Sequence, residues 1–167
     1  MIVRGAAAAV GVMLAIGCGA VGPSPLVNTH ASARGLAEAV LQGFESRDLE
    51  RLNALALTEA EFRDHIWPEL PASRPERNLP WSYVWADLRQ KSEGSLAESL
   101  TRYGGRRLTF DRIEYAGEST RYPSFVVHRE TVLIVHGSDG TEQRLRLYGS
   151  TVEKDGRFKV FSYVVDD

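Results

Sequence analysis

Cysteine is nearly missing from this chain: Cys18 is the single one in 167 residues. A domain that follows it holds no internal disulfide and no thiolate metal site. The histidines, His30, His65, His128 and His136, show neither His-x-x-x-His nor His-Glu-x-x-His spacing, so no metal and no cofactor is expected. No glycine-rich phosphate loop opens a helix, because Gly104-Gly105 follows one instead, and no serine nucleophile elbow is present. A charge of one sign is lacking too. Twenty basic residues stand against 22 acidic ones, a net −2, with no basic stripe and no polyacidic tail. Nucleic acid and anionic membrane surfaces are therefore not expected as partners.

What is present begins with an export signal, Met1 to Cys18. Arg4 supplies a short positive start, and Gly5 to Ile16 is an uncharged apolar core too short to span a membrane comfortably. Ala15-Ile16-Gly17-Cys18 resembles the bacterial lipobox, in which a small residue precedes a cysteine that is lipidated and becomes the mature N-terminus. The resemblance implies a lipoprotein of the cell envelope, anchored through acyl chains such as palmitate on Cys18. Gly19, where aspartate would retain the protein at the inner membrane, implies by resemblance to enteric bacteria the periplasmic face of the outer membrane. Residues 19–28, with Pro23, Ser24 and Pro25, read as a tether, and residues 29–167 as one domain.

Apolar spacing predicts a helix over Ala31 to Glu45, where Leu36, Val40 and Phe44 recur at i, i+4 and i+8. Ser46 is the expected cap of a second helix, Arg47 to Leu57. Thr58 with Glu61 forms a capping box that opens a third, ending before Trp67-Pro68. Pro68 to Pro80 reads as a loop, and a long helix follows from Trp81 to Gly104-Gly105. Residues 106–167 read as a four-stranded antiparallel meander, its turns marked by Asp139-Gly140 and Asp155-Gly156.

Two-residue turns at both Asp-Gly pairs give a register. Ile134 would face Leu145, Val132 face Leu147, His128 face Thr151, and Val160 face Thr151. One sheet face then carries Val132, Ile134, Leu145, Leu147 and Val164 beneath the helices, with His128, Glu130, Thr151 and Ser162 converging beside Gly149. The other face, with Leu133, Val135, Tyr148, Phe161 and Tyr163, is left exposed. That makes Tyr148, Phe161 and Tyr163 candidate interface anchors, consistent with a homodimer.

The order of three short helices, one long helix and an antiparallel sheet resembles the nuclear transport factor 2-like, cystatin-like α+β family. In sequence the echoes are Phe44-Glu45-Ser46-Arg47-Asp48-Leu49-Glu50 and Glu153-Lys154-Asp155-Gly156-Arg157-Phe158-Lys159-Val160. The resemblance implies a strongly bent four-stranded sheet wrapped around helices as a cone with an open cavity. His128, Glu130, Thr151, Ser162 and Trp85 are its candidate pocket residues, for a small apolar ligand or for another envelope protein. Three functions are consistent with such a fold. One is a non-catalytic binding or interaction domain, one a dimerising assembly module. The third is a cavity enzyme of isomerase or polyketide-cyclase type, with His128 and Glu130 as an acid–base pair.

Overall fold

A computed structural model describes residues 24–165 as an α+β domain. The expected leader with Cys18, and residues 19–23 of the expected tether, lie outside the described residues. The helices are α1 (Ala33–Ser46), α2 (Leu49–Leu55), the single turn α3 (Glu59–Glu61) and α4 (Trp81–Tyr103). The strands are β1 (Thr109–Tyr115), β2 (Thr120–Arg121), β3 (Val126–Arg129), β4 (Thr131–His136), β5 (Glu142–Leu145), β6 (Tyr148–Lys154) and β7 (Arg157–Tyr163). They form two antiparallel sheets, ordered β1-β4-β5 and β2-β3-β6-β7.

Local chemistry sets the helix starts. Ser32 caps α1 by accepting from Gly35 N–H at 3.0 Å. Asp48, rather than the expected Ser46, caps α2 by accepting from Arg51 N–H, because Ser46 is still helical and bonds back to Gln42 O. Thr58 and Glu61 form the capping box, and the chain then widens into a π-turn, Phe62–Ile66. Residues 67–77 pass through three 3₁₀ turns, each with proline at its start.

Two expected long strands are each broken in two, and the halves belong to different sheets. The first breaks at Glu130, whose φ is +51°, between β3 and β4; the second breaks at Arg146-Leu147, between β5 and β6. The short β2 was not expected at all.

Register follows the turns. At Asp155-Gly156 both residues have positive φ, 52° and 68°, as a two-residue I′ turn demands, and Thr151 pairs with Val160 as expected. The other turn is longer: Gly140 N–H bonds Gly137 O, Gly137 N–H bonds Thr141 O, and only Gly140 is left-handed. Leu133 therefore pairs with Leu145, one residue from the expected register. The slip is absorbed at the breaks, since His128 still pairs with Thr151.

That single residue exchanges the faces of β4 alone: Leu145, Leu147 and Val160 are in the core as expected, and Val132 and Ile134 are buried as expected, though on the other side of the strand from Leu145. Leu133 and Val135 join Leu145, Leu147, Leu36, Val40, Phe44 and Leu96 in the main core. Tyr148 and Tyr163, expected on an exposed band, are 0% and 3% exposed and lie in the same core. Irregular pairing at Ser150 shifts the alternation of β7, so Val160 and Tyr163 both turn inward. Phe161 is half-buried against a second core of Phe62, Ile66, Trp85, Phe125, Val127 and Val152. Val164, expected opposite Leu147 and buried, is only half-buried. The tyrosine band is thus no docking surface.

The outer edge of β7 is covered strand by strand. Phe158 exchanges both backbone hydrogen bonds with His30, Leu57 N–H donates to Val160 O, and Tyr163 N–H donates to Ser92 Oγ at 3.0 Å. Ser92 belongs to the buried face of α4, with Trp85, Leu96, Ser99 and Tyr103, so small polar residues let this helix hydrogen-bond a strand edge.

Candidate functional site

The changes of sheet open a cleft of about 410 Å³. Arg129 closes β3 and Glu130 sits at the first crossing, while Arg146 sits at the second, and all three line the cleft. Ser150 pairs with Arg129 on one side and with Ser162 on the other, placing two hydroxyl-bearing residues on its floor. Val127, Phe161 and Val164 supply apolar wall, and Leu70 from the proline-rich segment forms a rim. That rim is tied down where Ser124 N–H donates to Glu69 Oε2 at 3.0 Å. Gly149 lets β7 approach closely: a Cβ there would lie 2.7 Å from Val164 Cγ1.

The expected polar group divides between two faces of the sheet. Glu130 and Ser162 line the cleft; His128 and Thr151 do not. His128 alternates with Val127 and Arg129 along β3 and so points to the far side. There its Nε2 meets Glu153 Oε2 at 2.8 Å and its Nδ1 meets Ser119 Oγ at 2.8 Å, with its ring stacked on Tyr115 at 4.7 Å. The partner carboxylate is Glu153, not Glu130, because Glu153 lies two residues along β6 from Thr151 and shares its face. Both ring nitrogens are thereby occupied within the chain. Thr151 is fully buried and hydrogen-bonds Thr131 at 3.3 Å. Trp85 is buried against Phe62, 5.3 Å between ring centroids, as a core residue.

Beside Thr151 the half-buried Tyr115 and the fully buried Tyr148 turn their phenol hydroxyls inward, away from solvent. Burial pushes both above the usual tyrosine range. Tyr163 is pushed up by burial as well, and its hydroxyl donates to Leu52 O at 2.5 Å.

A buried ion pair escaped sequence reasoning. Lys159 is fully buried and Glu61 is 5% exposed. The Lys159 Nζ donates to Glu61 Oε1 at 2.9 Å and to Val27 O at 2.7 Å, while Glu61 accepts from Val27 N–H at 2.7 Å. The pair therefore grips both backbone groups of Val27. Upstream, His65 Nε2 contacts Ser24 O at 2.5 Å, and downstream Arg157 donates to Thr29 O and Oγ1. Residues 24–28, expected as free tether, are docked on the domain. Burial works against the charge on Glu61, but hydrogen bonds from Lys159, Thr58 N–H and Val27 N–H outweigh it and hold the carboxyl below its usual range. Burial draws Lys159 below the usual lysine range, opposed in part by Glu61. No sequence signal marked Lys159, which sits on a strand beside a turn where lysine is ordinarily solvated; the capping box did mark Glu61, for its other role.

Among the described residues no group of three or more His, Cys, Asp or Glu side chains is arranged to hold a metal ion. The site is thus a mixed apolar and cationic cleft in an α+β domain. No family model, curated protein or solved structure matches the chain.

Proposed function

We propose that this chain is an envelope-anchored bacterial lipoprotein whose domain binds rather than catalyses. The observation that carries the reading is the cleft at the strand crossings, where an apolar wall meets converging polar and charged groups, the character of a small-ligand site. In this reading the crossings at Glu130 and Arg146 are the bend of a cone-like, nuclear transport factor 2-like sheet. The anchor is Cys18, which follows a short apolar run, and its acyl chains hold the domain at the periplasmic face of the outer membrane. His128 lies on the far side of the sheet from Glu130, so the acid–base pair of a cavity enzyme is not assembled.

Two experiments test the two halves separately. Metabolic labelling with a fatty-acid analogue marks the wild-type protein and not Cys18→Ser; an unlabelled wild type ends the lipoprotein reading. Mass spectrometry of the protein purified from its own envelope then finds a small molecule released on unfolding. A Ser162→Leu variant, whose larger side chain fills the cleft, carries less of it; equal loading in both proteins refutes the cleft as its site.

A further inference from the structure

Three side chains lining the cleft carry charge: Arg129, Glu130 and Arg146. None has an ion-pair partner among the described residues, whereas Arg34, Arg89, Arg112 and Arg144 each bridge a carboxylate at the surface. Arg146 is the informative one. Its Nε is buried and has no hydrogen-bond acceptor among the described residues. A buried donor without an acceptor is costly and rare in native structures. Arginine does not relieve that cost by losing its proton, since its guanidinium stays charged at any ordinary pH. The acceptor that suits it is an anion entering from the cleft.

The lining also limits which anion. Two arginines and one glutamate leave one net positive charge, which one negative charge neutralises. A phosphate monoester, at about −1.5 to −2, would face Glu130 with its excess. The guanidinium fork pairs with the two oxygens of a carboxylate. Next to it Val127, Phe161 and Val164 offer apolar surface for the rest of a molecule.

We infer that the cleft takes an amphipathic monoanion, a single carboxylate on a compact apolar body. Its head group lies on Arg146 and Arg129, and its body lies against Val127, Phe161 and Val164. The inference rests on the binding reading above and adds the chemical class of the ligand.

The test uses the full chain in phosphatidylcholine nanodiscs, titrated calorimetrically with 4-phenylbutyrate and with its neutral counterpart 4-phenylbutanol, empty nanodiscs serving as reference. The carboxylate binds at least about tenfold tighter than the alcohol, and Arg146→Met removes that preference while leaving the alcohol unchanged. Equal affinity for acid and alcohol in the wild type overturns the monoanion and leaves a binding cleft standing. Binding of neither probe overturns both. Wild-type affinity for the acid in Arg146→Met overturns the role of Arg146. Should that variant melt early, Arg129→Met, at an exposed position, carries the same comparison: a several-fold loss for the acid alone supports the inference, and unchanged affinity overturns it.

Discussion

Replacing Lys159 by methionine keeps most of the side chain's volume and removes one charge from a fully buried pair. Two hydrogen bonds go with it, to Glu61 Oε1 at 2.9 Å and to Val27 O at 2.7 Å, together with the ion contact to Glu61 Oε2 at 2.8 Å. Glu61 is then a buried carboxylate left with two backbone donors, Thr58 N–H and Val27 N–H. Breaking a buried pair from one side costs about 3–5 kcal/mol, because the remaining charge is uncompensated. For a domain of this size that lowers Tm by roughly 10–20 °C. Glu61→Gln strands the ammonium instead and costs a similar amount. The double variant Lys159→Met/Glu61→Gln strands neither charge, so its loss falls short of the sum of the single losses by about 2 kcal/mol or more. Urea unfolding of the four proteins at pH 7 closes the cycle. Additive losses, or a Lys159→Met loss below about 1 kcal/mol, would refute the clamp as an ionic device. The pH dependence has a definite sign. The folded Glu61 carboxyl titrates below its unfolded value of about 4.3, so its contribution is present above that pH. It is lost as pH falls through the folded value, and Glu61→Gln removes this part of the acid limb.

Leu147→Ala empties a fully buried site in the main core and costs roughly 2–5 kcal/mol by chemical denaturation. Gly43→Ala sets helix propensity against packing. Alanine gains about 1 kcal/mol in α1, but its Cβ would lie 2.7 and 2.8 Å from Cδ2 and Cγ of the fully buried Leu52. Overpacking of that kind costs about 1–3 kcal/mol, so the expected net effect is a lower Tm. Gly156→Ala forces a side chain to φ +68° in the I′ turn and destabilises by about 1 kcal/mol, whereas an unchanged Tm would mean that the turn rearranges.

Elements with local causes were legible in the sequence. The stripe of α1, the Thr58-Glu61 box, the long helix ending at Tyr103 and the Asp155-Gly156 hairpin all depend on residues a few positions apart. Part of what escaped depended on one residue of turn length. Asp139-Gly140 has the composition of a two-residue turn, yet Asp139 does not take positive φ, and one added residue exchanges the faces of β4. The exchange sends Leu133 and Val135 to the helices, while the separate irregularity at Ser150 turns Tyr163 inward. The candidate site was missed in part for a different local reason, a break within a strand. Glu130 and Ser162 were placed at the cleft, but a continuous strand through Glu130 would keep His128 and Glu130 on one face. The break there separates them, and nothing about glutamate announces a left-handed residue.

The clamp on Val27 also bears on the order in which the chain becomes structured as it is made. Glu61 meets its cation across 98 residues, and Val27 O meets the same ammonium across 132. Until residue 159 has been added, Glu61 has no cation to be buried with, and strand β7, whose edge binds His30 and Leu57, does not exist. A partly made chain therefore leaves Val27 without its clamp and the acid hydrated. Closure waits for nearly the whole domain to be made, which leaves the incomplete chain unlocked, and so pliable, until its last strand is in place.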